Sequence, residues 1–235
     1  TNTGATVTYS AITVTDVNDQ TPAVTVPSTY NHPEAGATTF QAYTMVDTDT
    51  AGVYSCALSG DDSADFSAST TGKVCTVVFA ANPNYESPAD ANTDNVYQLT
   101  ITFSDGTNTQ AHNTAITVTD VNDQTPTYSI TTATPSIAEG TSTVETVSIT
   151  DTDTGDNNAC TLGGADAADF TCTVSATQYV LAFAATPNYE SPVDADTDNE
   201  YVVTVTISDG TNTGATVTYS AITVTDVNDQ TPAVT

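Results

Sequence analysis

The chain contains no tryptophan, and it sets one basic residue, Lys73, against 29 aspartates and glutamates. A single ammonium cannot neutralise a run of phosphates, so nucleic-acid binding is excluded as a function class. An anionic membrane surface repels a chain of net charge -28 for the same reason. Long hydrophobic runs are missing too. "VVFAA" and "VLAFAA" are among the longest, far short of the ~20 apolar residues of a membrane-spanning helix. No signal peptide or basic targeting segment is present. Histidine is scarce, and neither His32 nor His112 has a counterpart in the other half of the chain. No nucleophile–base constellation repeats, so the sequence does not read as an enzyme. With no C-x-x-C pair and no His-rich cluster beside the four cysteines, zinc is not expected. Asn-x-Ser/Thr sequons are absent, which removes N-linked glycan of that type and leaves O-linked sugar on the threonines open.

What is present suits a folded β protein. The 235 residues correspond to about two domains, and a hydrophobic fraction of 38% supports small cores. Roughly a fifth of the chain is Thr, which favours strands. The acidity must be balanced either by the ions of a salty medium or by bound cations.

The octapeptide "TDVNDQTP" occurs three times without change, from Thr15, Thr119 and Thr225. Residues 211–235 repeat residues 1–25 letter for letter, so the full period is 210 residues built from two similar halves. Such identity predicts recent tandem duplication and a parent chain that continues in both directions. "NPNYESPADANTDNVYQLTITFSDGTNT" in the first half matches "TPNYESPVDADTDNEYVVTVTISDGTNT" in the second.

Alternation marks the strands. Tyr97, Leu99, Ile101 and Phe103 fall on one face, and Tyr201, Val203, Val205 and Ile207 repeat the pattern. "GKVCTVVFA", "TQYVLAFA" and "TVETVSIT" also read as strands, and no segment carries a helical period. In "ATVTYSAITVTD" the apolar parity flips between Tyr9 and Ile12, and again between Tyr219 and Ile222, which predicts a bulge. Short strands with frequent turns in units of about 105 residues predict an all-β fold of tandem Greek-key β-sandwiches joined by short acidic linkers.

Each half carries five acidic or amide clusters in fixed order. The first has Glu34, then Asp47 and Asp49, Glu86, Asp105, and Asp120 to Asp123. The second has Glu139, the run from Asp151, Glu190, Asp209, and the run from Asp226. Single aspartates in turns are ordinary, because Asp bonds its own backbone there. Five clusters recurring together at strand ends suggest a hard cation, since Ca2+ takes six to eight oxygens.

The order E, D-x-E, D-x-N-D, D-x-D-x-G-x-N and D-G resembles cadherin repeats, and "NYESPVDADTDNEYVVTVTISDG" is similar to the bacterial cadherin-like subgroup. The resemblance covers essentially the whole chain. It implies sandwiches strung end to end, with about three Ca2+ shared at each complete D-x-N-D linker. Residues 1–20 would then be the last strand of a preceding repeat, 21–124 and 125–229 complete repeats, and 230–235 the start of another.

By the same resemblance the middle linker is the complete one. Glu34, Asn84 and Glu86 of the first repeat would join Asp120, Asn122 and Asp123, with Asp151, Asp153 and Asp209 from the second. Val121, Gln124 and Asn157 would serve through their carbonyls. Asn84 departs from the usual aspartate, which weakens the outermost site. Gly52–Val53 stands where the motif carries Asn, leaving only backbone there. The linker before it offers Asp16, Asn18 and Asp19 with Asp47, Asp49 and Asp105. The linker after it offers Glu139, Asn188, Glu190, Asp226, Asn228 and Asp229. These two end clusters are expected to bind fewer ions.

A second acidic loop, "DADTDN" at 194–199 with "DANTDN" at 90–95, lacks the glycine and distal glutamate of an EF-hand loop and reads as a solvated hairpin, with a further ion as the alternative. The cysteines fall two per half. Cys56 and Cys160 align while their partners shift, which suggests the local disulfides Cys56–Cys75 and Cys160–Cys172 of an exported protein; the alternative is four buried thiols.

The expected role is a structural segment of a long secreted repeat protein, stiffened by Ca2+ into an adhesin stalk, surface fibre or extracellular filament. Its partners would be further copies of itself. The alternative is a module binding glycans, cell-surface proteins or a like copy, which predicts an exposed aromatic cluster for which Tyr30, Tyr43, Tyr54 and Tyr128 are the candidates.

Overall fold

A computed structural model describes residues 1, 3–50, 52–155 and 157–231. The last residues of the expected following repeat, 232–235, lie outside the described residues. The chain divides into two compact units, Thr1–Val121 and Asn122–Thr235.

In the first unit the strands are β1 (Thr29–Pro33), β2 (Thr39–Thr44), β3 (Ser55–Ser59), β4 (Phe66–Thr71), β5 (Val74–Phe79), β6 (Val96–Ser104) and β7 (Thr109–Thr119). They form two sheets, ordered β1-β7-β6-β3 and β2-β5-β4. In the second unit β8 (Thr127–Tyr128), β9 (Ser136–Ala138), β10 (Thr143–Thr150), β11 (Ala159–Gly163), β12 (Phe170–Val174), β13 (Gln178–Phe183), β14 (Glu200–Ser208) and β15 (Val217–Thr225) follow. Their sheets run β9-β15-β14-β11 and β12-β13-β10-β8. In each unit one short strand pairs parallel, β1 with β7 and β9 with β15, and the remaining strand pairs are antiparallel. The all-β Greek-key sandwich holds. Among the described residues the only helical pieces are the 3-10 turns Ser63–Asp65 and Ala167–Asp169.

The alternating faces become the cores. Tyr97, Leu99, Ile101 and Phe103 are buried, as are Tyr201, Val203, Val205 and Ile207. Phe66, Phe79 and Tyr97 pack edge-on or tilted against one another, and Phe170, Phe183 and Tyr201 repeat that triad. Gly164 packs against β14 at φ +99, where a Cβ would meet the Val202 carbonyl oxygen at 2.6 Å, so the turn before the acidic Asp166 requires glycine.

The parity flip is a bulge in β15. Tyr201 faces Ile222 while Val203 faces Tyr219, so Ser220 and Ala221 oppose one residue of β14. The stretch from Asp105 to Asp120, which carries β7, is two residues shorter than that from Asp209 to Asp226, and β7 pairs with β6 without a shift from Val96–Thr117 to Ser104–Thr109. The identical residues 7–14 form no strand.

Both disulfides are present and each joins the two sheets of one unit. Cys56 on β3 bonds Cys75 on β5, and Cys160 on β11 bonds Cys172 on β12.

Candidate metal centres

Each unit gathers its acids into an amino-end set and a carboxyl-end set, and within each unit backbone amides hold the carboxylates. At the carboxyl end of the first unit Glu34 follows β1 and is 2% exposed. Its Oε2 accepts the Tyr85 amide at 2.6 Å and its Oε1 the Val121 amide at 2.8 Å. One buried carboxylate thus ties the N-Y-E loop to the last strand's exit. Glu139 does the same in the second unit, with the Tyr189 and Val227 amides both at 2.8 Å. The straps deliver carboxylate oxygens to one point. Glu34, Glu86 and Asp120 each place an oxygen within 4.8 Å of the others, as do Glu139, Glu190 and Asp226.

Electrostatics record the crowding. The Val227 and Tyr189 amides hold Glu139 below the usual carboxylate range. For Glu190, its own amide works to lower the pKa, but burial and the charges of Glu139, Asp229 and Asp226 push it up. A site that raises the pKa of one acid beside three others is short of positive charge.

At the amino end of the second unit the acids are locked to the D-x-N-D-Q segment. The Gln124 amide donates to Asp153 Oδ2 at 2.7 Å, and the Asp153 amide to Asp151 Oδ1 at 3.4 Å. Asp209, only 2% exposed, takes the Thr211 and Asn212 amides on Oδ1 at 2.7 and 2.6 Å. Its Oδ2, like Asp151 Oδ2, is buried with no hydrogen-bond partner. Asn157 donates its amide to the Asp209 carbonyl at 3.2 Å. The first unit repeats the arrangement: Gln20 donates to Asp49 at 2.7 Å, and Asp105 receives Thr107 and Asn108. Burial works to raise the Asp105 pKa, and the Asn108 and Thr107 amides overcome it. Asp16 is lowered by the Thr50 amide and hydroxyl, both at 2.7 Å.

Several expected ligands are engaged otherwise or stand apart. Asn84 Oδ1 is taken by the Ser87 amide at 2.7 Å, and the Gln124 carbonyl by the Asn212 side chain at 2.6 Å. Asp19 and Asp123 are exposed, each bonded by the glutamine that follows it. Asn188, Asn228 and Asp229 are exposed.

Sequence reasoning missed the residues that aim the ligands. Asn108 and Asn212 donate their side-chain amides to the Gln20 and Gln124 carbonyls, at 2.9 and 2.6 Å. Buried Asp62 accepts the Ala91 and Gln98 amides, and buried Asp166 the Ala195 and Val202 amides, so each pins the long loop that carries Glu86 or Glu190. Their signal lay in the matching "GDDSADF" and "GADAADF". In the second acidic loop Asp194, Asp196 and Asp198 place oxygens within 4.8 Å. Yet Asp194 is buried and bonds the Asp198 and Asn199 amides, which is how a side chain closes a tight turn.

Of the aromatic candidates of the binding-module alternative, Tyr43 is corrected. Tyr43 is buried, Tyr30 packs edge-on against Phe40 at 4.8 Å, Tyr54 lies beneath Lys73, and Tyr128 packs against Tyr179 at 5.8 Å. Tyr30, Tyr54 and Tyr128 are half-buried.

No protein-family profile and no curated protein matches the chain. Solved structures do. Protocadherin gammaB7 EC3-6 matches at 21% identity and TM-score 0.60, over 89% of this chain and 48% of that one. Human protocadherin-24 EC1-2 matches at 20% and 0.61, over 85% and 94%. Mouse clustered PcdhgC3 EC1-3 matches at 21% and 0.63, over 91% and 70%. The chain spans 48% of the length of gammaB7 EC3-6 and 34% of that of the protocadherin gammaB4 extracellular domain, which it also matches. The fold is that of cadherin extracellular domains.

Proposed function

We propose that this chain is a structural, non-enzymatic segment of a secreted or cell-surface repeat protein, in which Ca2+ taken up at acidic linkers stiffens each sandwich on the next. The observation that carries the reading is the buried Asp209 Oδ2 without a hydrogen-bond partner, amid an all-oxygen donor set held by amides. A hard divalent cation fits that chemistry. Glu34, Glu86 and Asp120 would hold it from the first unit, and Asn122, Asp123, Asp151, Asp153 and Asp209 from the second, with Asp120–Asp123 as the joining segment. The cation supplies charge neutralisation. Two like charges about 4 Å apart repel by roughly 4 kcal/mol at an effective dielectric near 20, so these carboxylates resist being gathered alone. About three Ca2+ at this linker, and fewer at the two end sets, would nearly cancel its seven carboxylates.

Residues 1–16 support a tandem array. They match residues 211–226, where Tyr219, Ile222 and Val224 are fully buried, whereas Tyr9, Ile12 and Val14 are 82%, 86% and 91% exposed. They suit the last strand of a further sandwich of the same kind. Further copies are therefore the partners we favour, in a stalk, fibre or filament, and disulfides inside each unit suit an extracellular setting.

Small-angle X-ray scattering in millimolar Ca2+ and in excess chelator tests the reading. A single fixed maximum dimension with Ca2+ that broadens on chelation supports it. A profile indifferent to Ca2+ leaves the linker acids as solvated turns and overturns it.

A further inference from the structure

The two amino-end sets look alike in sequence and are built differently. Lys73, in the turn between β4 and β5, is the only basic residue of the chain. Its Nζ donates to the Asp47 backbone carbonyl at 2.9 Å and lies 4.9 Å from the centre of the Tyr54 ring. The Tyr54 hydroxyl donates in turn to Asp47 Oδ2 at 3.2 Å. Asp47 is therefore gripped at both its carbonyl and its carboxylate. Its neighbour Asp105 is also satisfied on Oδ2, by the Asn108 side chain at 3.3 Å.

The second unit lacks this grip. At the positions 104 residues on stand Thr177 and Asn158. Asn158 turns its side chain to the Ser175 and Ala176 carbonyls, at 3.4 and 3.2 Å. Asp151 Oδ2 and Asp209 Oδ2, the counterparts of the satisfied oxygens, have no hydrogen-bond partner.

We infer that Lys73 and Tyr54 form a built-in brace that does for the amino-end acids of the first unit part of what Ca2+ does for those of the second, so that the two sets differ in their demand for the ion. The ammonium holds a fixed positive charge at the Asp47 carbonyl, and a cation over an aromatic face resists displacement by water. The inference rests on the calcium reading above and adds that calcium dependence is set unit by unit.

Hydrogen exchange of the full chain, read by mass spectrometry over residues 47–54 and 151–158, tests it. In excess chelator the 47–54 loop should exchange about tenfold more slowly than the 151–158 loop, the scale of one charged hydrogen bond with a cation–π contact. Lys73→Thr should abolish the difference. The reciprocal pair Asn158→Tyr with Thr177→Lys should slow the 151–158 loop in chelator, which keeps the test open if Lys73→Thr fails to fold. Added Ca2+ should slow 151–158 strongly and 47–54 little. Equal exchange of the two loops in chelator, with Lys73→Thr silent, overturns the brace while leaving the calcium reading intact. Ca2+ without effect on either loop overturns both.

Discussion

Asn95 reaches back across its loop to donate its side-chain amide to the Tyr85 carbonyl at 2.9 Å, and Asn199 does the same to Tyr189 at the same distance. The bond closes a chain of contacts. Asp90 accepts the Asn95 amide, Asn95 holds Tyr85, and the Tyr85 amide meets Glu34 beside the ligand Glu86. Asn95 sits at φ 62, where Asn and Gly are tolerated and most residues are strained. Asn95→Gly therefore isolates the hydrogen bond and should cost about 1 kcal/mol, while Asn95→Ala should cost more because backbone strain adds to it. Urea melts in excess chelator measure both; an Asn95→Gly variant as stable as the wild type would show that the side chain does not brace the loop.

The Glu34 strap predicts a larger loss. A glutamine retains one carbonyl oxygen for two amides, so Glu34→Gln leaves the Tyr85 or Val121 N–H facing another donor. The expected cost is about 1–3 kcal/mol, seen in chelator and so independent of any ion. Glu139 adds a pH signature. Its folded-state pKa is lowered by the Val227 and Tyr189 amides, so its contribution is complete above the ordinary glutamate range and is lost as pH falls through the lowered value. Acid melts of the wild type and Glu139→Gln should converge at low pH; a constant gap would refute the assignment.

Alternation made the two-sheet cores legible, because Tyr97 to Phe103 and Tyr201 to Ile207 switch faces at every residue. The parity flip between Tyr219 and Ile222 located the bulge for the same reason. Strand β4, "FSASTT", was not legible, since an edge strand of small polar residues carries no period. The acids Glu34, Glu86 and Asp120 could be named from their fixed order. The amide donors that aim them could not, because a backbone N–H has no letter in the sequence. Asp62 and Asp166 were overlooked because buried acids that bond only backbone look like any turn aspartate.

The shifted cysteine partners predict a measurable trade. Where the first unit has Cys75, the second has Tyr179, which meets the Tyr219 hydroxyl at 3.4 Å, while Tyr219 donates to Glu145 at 2.7 Å. Moving the bridge to Cys172 frees the central-strand position for that buried phenol pair, and burial pushes the Tyr179 pKa up to about 12. The closed loops span 19 and 12 residues, so each bridge should contribute about 3 kcal/mol. Calorimetry should find that reduction lowers Tm by roughly 10–20 °C in each unit. Tyr219→Phe should cost about 1–2 kcal/mol in the second unit alone, by removing the donor to Glu145.

Asp169 supplies a stabilising substitution with a defined pH window. Burial raises its pKa, and the Asp166 and Asp194 charges raise it further; Asp65 repeats this beside Asp62 and Asp90. A raised acid binds its proton more tightly in the folded chain than in the unfolded one. Stability therefore falls as pH rises from the unfolded value near 3.9 through the folded value, and the deficit is constant above it. Asp169→Asn removes the charge and should stabilise the second unit at pH 7 by a few tenths of a kcal/mol, about what solvent screening leaves of such a contact. The gain should vanish near pH 3, where the wild-type carboxyl is protonated in both states. Thermal melts across that range in excess chelator decide it: a gain that persists at low pH would come from packing and not from charge.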